Sequence, residues 1–273
     1  MAVIGAGYSG VEVATSVAEY IGKDRALVSI VDRNECVMHT SSPHNRRAAE
    51  RYFLFIISLL IRIRSLLNFG VSLQLNASVQ EVLPDGVMIQ IEQGAPFKID
   101  SDLVILTCGI QPSELVGSLP FGKDKSGRLL VSRTLQTVTD PNVFAIGDCA
   151  SIQGEAVPLT AQAAMQQSDI VVRNLEALNN AESSPSATSL EKFRYIPLGE
   201  MLTLGGTVTD GSLSSLGGLI ELDGPLAGLA RRAVYAARMP TPQQSLTAAV
   251  SAGVVSLASL LLKASPDRDR RRV

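Results

Sequence analysis

The sequence predicts an α/β fold, in which short apolar strands alternate with helical stretches. Two observations carry this prediction: apolar runs of strand length alternate with segments of helical spacing, and a glycine-rich turn joins the first strand to the first helix. Of the 273 residues, 46 % are hydrophobic and 18 % charged, which is enough for a sizeable core. We therefore expect one large or two medium globular domains.

The elements of the first domain follow from the apolar pattern in chain order. A strand at Ala2 to Ile4, a helix at Ser9 to Ile21 and a strand at Leu27 to Asp32 come first. A long helix from about His44 to Asn68, a parallel strand at Val71 to Leu75 and a closing strand at Leu103 to Leu106 complete the unit.

An antiparallel meander is predicted inside this domain. Its strands are the runs around Val79 to Leu83, Val87 to Glu92 and Phe97 to Ile99. The Asp85-Gly86 pair supplies the tight turn between the first two, because glycine tolerates the backbone angles that such turns require.

Charge and cysteine spacing exclude several function classes. The net charge of −2 and pI near 5.8 argue against a nucleic-acid partner, which would need clustered Lys and Arg. The three cysteines Cys36, Cys108 and Cys149 lie far apart and form no C-x-x-C pair. The sequence therefore indicates neither a metal site nor a dithiol redox centre.

The segment Phe53 to Ile61 has nine residues without a charge. A membrane-spanning helix needs roughly 20, so the segment is too short to span. As a helix it would be apolar on every side, unlike an amphipathic surface helix. We expect an insertion or a mis-spliced stretch here.

The C-terminal part is also apolar. A polar low-complexity loop at Ala181 to Ser189 precedes it, and Met239 to Leu262 contains no charged side chain. The stretch from Leu246 onward has helical spacing. A docking helix and a helix in a membrane interface, anchored by the Arg-rich tail, are both compatible with it, and its length permits a marginal span.

The glycine-rich turn has the pattern of a dinucleotide site. Gly5, Gly7 and Gly10 permit a tight turn, close approach of a pyrophosphate and close helix packing. Asp32 follows the second strand, where a carboxylate accepts hydrogen bonds from ribose hydroxyls. Asp32 would repel a 2′-phosphate, although the adjacent Arg33 could accept one, so NAD is modestly preferred over NADP.

Two further carboxylates stand at informative positions. Glu12 lies near the start of the first helix, where the helix dipole alone would stabilise it. The apolar run at Asn142 to Ala150 predicts a buried strand ending in Gly147-Asp148, which would place Asp148 at the carboxyl edge of a sheet.

The order of the motifs resembles a known family. G-A-G-Y-S-G-V-E is followed by T-C-G-I-Q-P, then L-Q-T-V-T-D-P-N-V-F-A-I-G-D, then A-Q-A-A-M-Q-Q. This series resembles the type II NAD(P)H:quinone oxidoreductases, flavoproteins with two dinucleotide-binding domains. The segments G-E-M-L-T-L-G and L-D-G-P-L-A-G-L-A-R-R-A-V-Y-A-A-R-M-P-T look most like the plastid and cyanobacterial branch, which reduces naphthoquinones.

The resemblance implies roles for individual residues. It implies that NAD(P)H binds at the glycine-rich turn beside Glu12, and that FAD binds at residues of the later motifs. The cofactor-binding residues it implies are Gly5, Gly7, Gly10, Asp32, Gly109, Gly147, Asp148 and Ala161. It assigns Glu12, Gln162 and Gln166 to catalysis, and the two glutamines, four residues apart, share one helix face. Neutral amides there could hold a quinone carbonyl without placing a charge beside the flavin.

The implied reaction is hydride transfer from NAD(P)H to FAD, followed by two-electron reduction of a membrane quinone of the naphthoquinone or plastoquinone type. The implied domains are an NAD(P)H-binding domain at 1–107, the C-terminal half of an FAD domain at 108–180 and a membrane-associated α+β region at 190–273. The implied location is a plastid or mitochondrial membrane, or the cytoplasmic side of a bacterial one. A homodimer is left open.

The position of Met1 raises a further expectation. In the family a first glycine-rich turn, which binds the ADP half of FAD, precedes the NAD domain. We expect this chain to be an N-terminally truncated form or the product of an incomplete gene model, without the first FAD-binding βαβ unit and without a targeting peptide. Three readings follow: a fragment of a membrane-associated quinone oxidoreductase, a stand-alone NADH-binding module, or a flavoprotein like ferredoxin reductase or apoptosis-inducing factor.

Overall fold

The computed structural model describes residues 1–21, 27–62, 71–183, 190–205, 211–215, 218–239 and 241–251. The chain divides into two compact units. The first comprises residues 1–108 together with the chain from residue 199 onward, and the second comprises residues 109–198.

The first unit is built on a parallel sheet. Its strands are β1 (Ala2–Ile4), β2 (Val28–Val31), β3 (Val71–Gln74) and β7 (Val104–Leu106), in the order β3-β2-β1-β7. The β-branched residues of β1 and β2 are buried, as expected for strands covered on both faces. The predicted parallel strands are therefore confirmed.

Two helices contribute to the hydrophobic cluster on one face of this sheet, whereas the other face packs against the antiparallel meander. Helix α1 (Tyr8–Ile21) buries Val11, Ala14 and Ala18 in one cluster with Val3 and other strand residues. This spacing forms one helix face, which explains why the segment is helical and how it packs. Helix α2 (Pro43–Arg62) runs through the apolar segment from Phe53 to Ile61, and Phe53 itself is buried. The predicted extension of this helix to Asn68 lies outside the described residues.

The antiparallel meander is confirmed. It consists of β4 (Ala77–Leu83), β5 (Gly86–Ile91) and β6 (Phe97–Asp100), with β5 in the middle. The turn between β4 and β5 lies at Pro84-Asp85, one residue earlier than predicted, and Gly86 is the first residue of β5. A Cβ on Gly86 would lie 2.4 Å from the carbonyl oxygen of Ile99 in β6. Only glycine fits there without displacing backbone.

A second antiparallel sheet belongs to the same unit. Strands β10 (Glu200–Thr203), β11 (Gly211–Ser215) and β12 (Ile220–Asp223) precede helix α5 (Pro225–Ala237). Leu202 and Leu204 are buried in the cluster that contains the α1 face. Hence this sheet shares the hydrophobic core of the first unit.

A buried histidine also joins this sheet to α2. His44, the second residue of α2, lies with Nδ1 3.1 Å from Glu221 Oε2 and Nε2 3.0 Å from Asp223 Oδ1. Its predicted position at a helix start is confirmed.

The second unit is smaller. It contains α3 (Glu114–Ser118), β8 (Leu129–Val131), β9 (Ala150–Ile152) and the long helix α4 (Ala161–Ser183). Strands β8 and β9 are parallel, and their apolar residues pack with Leu135, Ile170 and Phe193.

The predicted strand ending in Gly147-Asp148 is wrong. Residues 142–146 form one isolated bridge, Gln136 to Phe144, and a 3-10 helix follows at Gly147–Cys149. The physical reason is local: residues 137–143 make a tight turn, in which Thr137 N–H donates to the Val143 carbonyl at 2.7 Å, and Gly147 has φ of +68°. Between that turn and the 3-10 helix too few ladder bonds form for a strand.

The C-terminal expectation is tested in part. Residues 242–251 are helical, which agrees with the helical spacing seen from Leu246, and later residues lie outside the described part. Among the described helices, none combines the length and apolar character needed to cross a membrane.

Candidate functional site

Glycine occupies the three positions of the turn for different structural reasons. Gly5 adopts φ of +108°, a conformation that L side chains rarely adopt. A Cβ on Gly10 would lie 1.8 Å from the carbonyl oxygen of Gly5, so the helix start can pack there only without a side chain. Gly7 is exposed, and nothing lies within 4 Å of its Cβ position. The outer face of the turn is therefore open to a ligand, while its inner face is closed by packing.

Thr107 holds this turn from the neighbouring strand. Its hydroxyl donates to the carbonyl oxygen of Ile4 at 2.9 Å and lies 3.1 Å from that of Gly5. Its side chain also lies 2.8 Å from the Cβ position of Gly10. Sequence reasoning did not single out this residue, although Thr107 opens the T-C-G-I-Q-P motif.

Asp32 faces the turn, as its position after β2 predicted. Its Oδ2 accepts a hydrogen bond from the Ala6 N–H at 2.6 Å. Its Oδ1 accepts from the backbone N–H and the side-chain amide of Asn34, at 2.7 Å and 2.8 Å. Hence the carboxylate that was predicted to bind ribose also ties the glycine-rich turn to the end of β2.

Glu12 is anchored by the C-terminal part of the same unit. Its Oε1 accepts from the Thr203 N–H at 2.8 Å and from Arg231 Nη1 at 3.0 Å. The Arg231 guanidinium also lies 5.5 Å from the ring centre of Tyr235. The N-terminal part of α1 is thereby attached to β10 and α5.

A polar network surrounds the hydroxyl of Tyr8, the residue after Gly7. The Tyr8 hydroxyl donates to Glu200 Oε2 at 2.6 Å and lies 2.6 Å from Ser41 Oγ. The Asn45 amide donates to the Tyr8 oxygen at 3.2 Å. Tyr8 and Glu200 are 192 residues apart in sequence, which is why no local pattern indicated their contact.

Burial and hydrogen bonding determine which of Tyr8 and Glu200 is charged. Burial, together with the hydrogen bond to Glu200, raises the pKa of Tyr8 far above its ordinary value, so the phenol remains a neutral donor. Burial alone would raise the pKa of Glu200, but the hydrogen bonds from Tyr8, Ser42 and Ser41 outweigh it and lower that pKa. The contact is thus a charge-assisted hydrogen bond.

The Gly147-Asp148 motif of the second unit lies at a helix. The Gly147 N–H donates to Gln167 Oε1 at 2.6 Å, and Gln167 is buried. Asp148 is exposed beside a cavity of about 450 Å³, which Gln111, Arg128 and apolar side chains also line. Gln167 was not predicted as a site residue, because the A-Q-x-x-x-Q pattern includes only Gln162 and Gln166.

Gln162 and Gln166 bind the same segment. Gln166 makes a two-way contact with Ile196: its Nε2 donates to the carbonyl at 2.9 Å, and its Oε1 accepts from the N–H at 3.0 Å. Gln162 Oε1 accepts from the Leu198 N–H at 3.1 Å. Their shared helix face is confirmed, and in this structure it holds an extended stretch of chain.

The remaining predicted positions lie at the surface of the second unit. Ala161 is exposed at the start of α4, where the Ala163 N–H lies 3.3 Å from Thr160 Oγ1. Gly109 is also exposed, with φ of +109° and nothing within 4 Å of its Cβ position.

The predicted residues fall into two groups, one in each unit. Gly5, Gly7, Gly10, Glu12 and Asp32 surround the start of α1 in the first unit. The second group belongs to the second unit and comprises Gly109, Gly147, Asp148, Ala161, Gln162 and Gln166. Across the residues that the structure describes, no group of three His, Cys, Asp or Glu side chains could hold a metal ion.

Comparison with known proteins adds independent information. A family model described as pyridine nucleotide-disulphide oxidoreductase matches residues 1–168. The chain is 36 % identical over 251 residues to demethylphylloquinone reductase NdbB of Synechocystis sp., a match that covers 90 % of this chain and 56 % of that protein. It is 30 % identical over 264 residues to alternative NAD(P)H-ubiquinone oxidoreductase C1, chloroplastic/mitochondrial, of Arabidopsis thaliana, which covers 92 % and 48 %. The chain thus spans about half the length of these relatives.

A solved structure shares the fold. NDH2 from Plasmodium falciparum in complex with NADH matches with a TM-score of 0.74 at 15 % identity, covering 95 % of this chain and 65 % of that one. At this identity the likeness concerns the fold alone.

Proposed function

Because this chain belongs to the pyridine nucleotide-disulphide oxidoreductase family, we propose that it is part of an FAD-dependent NAD(P)H:quinone oxidoreductase. The observation that carries the proposal is the glycine-rich turn, closed by packing at Gly10 and open to a ligand at Gly7. The names of two relatives, a demethylphylloquinone reductase and an NAD(P)H-ubiquinone oxidoreductase, support a quinone as the acceptor.

The residues of the first unit fit a dinucleotide. The first N–H groups of an α-helix have no intrahelical partner and favour an anion, so the start of α1 would hold the pyrophosphate. No side chain occupies the space above Gly7, which leaves room for its close approach. Asp32 would accept hydrogen bonds from the ribose hydroxyls and disfavour a 2′-phosphate, so NADH is the preferred donor.

The residues of the second unit fit part of FAD. The Asp148 carboxylate is exposed beside a cavity of about 450 Å³. It would accept hydrogen bonds from hydroxyl groups of the ribityl chain. Gly109 and Ala161 are exposed and leave their backbone accessible, whereas the N–H of Gly147 is bound to Gln167. The chemistry that bound FAD supplies is acceptance of a hydride from NADH and delivery of two electrons to a quinone.

The assignment of Glu12, Gln162 and Gln166 to catalysis stays a proposal. Glu12 would line the nicotinamide side of the turn, held in place by Thr203 and Arg231. Gln162 and Gln166 would orient the acceptor from one face of α4 as neutral amides, without adding a charge. Both glutamine side chains are hydrogen-bonded to backbone groups of the protein, so their orientation toward a quinone would be restricted.

Membrane contact is proposed for the C-terminal region. Large apolar side chains are exposed on α5 and on the helical residues 242–251, namely Leu226, Leu229, Leu246 and Val250. Such a surface fits a helix lying in a membrane interface beside a quinone pool. We place the protein at a plastid or mitochondrial membrane, or at the cytoplasmic face of a bacterial one.

Flavin reconstitution tests the proposal. The purified chain is incubated with FAD and separated from free flavin, and its visible spectrum is recorded before and after addition of NADH. Bound flavin that bleaches with NADH and recovers with a naphthoquinone supports it. Asp148→Asn is expected to weaken flavin retention, whereas Asp140→Asn, in a turn of the same unit, serves as the control.

The outcomes separate the alternatives. NADH binding without flavin binding would leave a nucleotide-binding module. Reduced flavin that is reoxidised by ferredoxin but by no quinone would indicate a ferredoxin-reductase-like protein instead.

A further inference from the structure

One carboxylate oxygen of Glu200 accepts three hydrogen bonds. Its Oε2 accepts from the Tyr8 hydroxyl at 2.6 Å, from the Ser42 N–H at 2.7 Å and from Ser41 Oγ at 3.0 Å. Glu200 opens β10, whereas the serines lie just before α2 and Tyr8 opens α1. One carboxylate oxygen therefore connects three separate elements.

The start of α1 is attached to β10 at two points. Tyr8 and Glu12 are four residues apart and so lie on one helix face. Tyr8 is held by the side chain of Glu200, and Glu12 accepts from the N–H of Thr203. Both contacts reach the same strand, whose own position is supported by Leu202 in the shared core.

These contacts act on the candidate nucleotide site. Tyr8 follows Gly7, the glycine whose outer face is open, and its backbone N–H belongs to the first turn of α1. Fixing the Tyr8 hydroxyl therefore fixes the direction of the amides that would meet a pyrophosphate. A contact that orders the free protein in this way lowers the entropic cost of ligand binding.

We propose that Glu200 is a positioning residue of the nucleotide site, and that nucleotide binding and the docking of β10–β12 strengthen each other through the Tyr8–Glu200 contact. The inference rests on the proposed function in one respect, namely that the glycine-rich turn binds NADH. Coupling between two sites is reciprocal, so a contact that helps the nucleotide bind must also be strengthened by it.

Simple electrostatics makes the opposite forecast. Glu200 carries a negative charge near the start of α1, where a pyrophosphate would bind, so its removal should tighten NADH binding if charge repulsion dominated. In the structure three donors face that charge and reduce its effect on an incoming anion. We therefore expect the loss of positioning to exceed the relief of repulsion.

The test measures NADH dissociation constants by calorimetry for the whole chain and for Tyr8→Phe, Glu200→Gln and the double variant. Each single variant should bind NADH about tenfold more weakly, which corresponds to about 1.4 kcal/mol. The double variant should be no weaker than the weaker single one, because both remove the same contact. Tyr8→Phe keeps the packed ring and is the milder change for folding.

Glu221→Gln is the matched control. Glu221 is a carboxylate of the same sheet that pairs with His44 of α2. Its loss should lower the melting temperature as Glu200→Gln does, without changing NADH affinity. Equal effects of both variants on affinity would mean that the sheet is only a general support.

Hydrogen exchange supplies the reciprocal measurement. NADH should slow exchange of the β10 amides in the wild-type chain and in Glu221→Gln, and should slow it less in Glu200→Gln. Unchanged or tighter NADH binding in the Tyr8 and Glu200 variants overturns the positioning role alone. Failure of the wild-type chain to bind NADH overturns both this inference and the proposed nucleotide site.

Discussion

Replacing Gly10 with alanine should separate the packing role of the turn from its binding role. The added Cβ would lie 1.8 Å from the carbonyl oxygen of Gly5 and 2.8 Å from Thr107 Oγ1. Because non-bonded carbon contacts are optimal at about 3.5–4.0 Å, the helix would have to move by roughly 1.5 Å. The first obstacle is backbone, so no side-chain rotation relieves the overlap.

The magnitude follows from this geometry. Overpacking a core with flexible neighbours destabilises by about 1–3 kcal/mol, and here the neighbour is rigid, so we expect about 3 kcal/mol or more. For a unit of this size the melting temperature falls by about 2–4 °C per kcal/mol, which predicts a decrease of at least about 6 °C.

Gly7→Ala is the matched comparison. Nothing lies within 4 Å of its Cβ position, and Gly7 is not among the residues with positive φ. Its stability should therefore stay within about 0.5 kcal/mol of the wild-type value. NADH affinity should nevertheless fall, because the methyl group would occupy the space through which a pyrophosphate approaches.

Urea unfolding followed by circular dichroism, together with NADH titration, checks both expectations. A Gly10→Ala chain as stable as the wild type would refute the close packing of α1 on the turn. A Gly7→Ala chain with full NADH affinity would refute the open face of Gly7 as the ligand side.

Three further predictions concern other residues. Gln167→Ala should destabilise the second unit by about 1–3 kcal/mol in urea unfolding, because the partly buried Gly147 N–H would lose the acceptor that the buried Gln167 side chain provides. Stability measured against pH should show the Glu200 contribution complete above pH 4.5, its ordinary pKa, and lost as the pH falls through its lowered pKa in the folded chain, so Glu200→Gln should flatten this acid limb. Asp32→Asn should reduce the preference for NADH over NADPH in titrations, and should also loosen the turn, because Oδ2 accepts from the Ala6 N–H.

Each of these has its own control. Gln166→Ala, whose partners are the exposed backbone groups of Ile196, should destabilise the second unit less than Gln167→Ala. An acid limb that is identical with and without the Glu200 carboxylate would contradict its assigned charge. An unchanged preference for NADH in Asp32→Asn would place the ribose elsewhere.

Local patterns were sufficient for most of the first unit. The parallel strands, the antiparallel meander and the glycine-rich turn depend on neighbouring residues, whose backbone preferences and alternation are visible in sequence. The strand predicted to end at Gly147 failed because an apolar run indicates burial, but pairing with a partner strand decides whether a ladder forms.

The sequence by itself determined the α/β class, the place of the glycine-rich turn and the carboxylate after β2, because these follow from spacing along one short stretch of chain. Only the tertiary structure decided which side chains support them. Tyr8 meets Glu200 across 192 residues, and Gln167 rather than its neighbour Gln166 supports the Gly147 turn. Such contacts depend on how helices and sheets pack against each other, and packing is a property of the whole folded chain rather than of any local pattern.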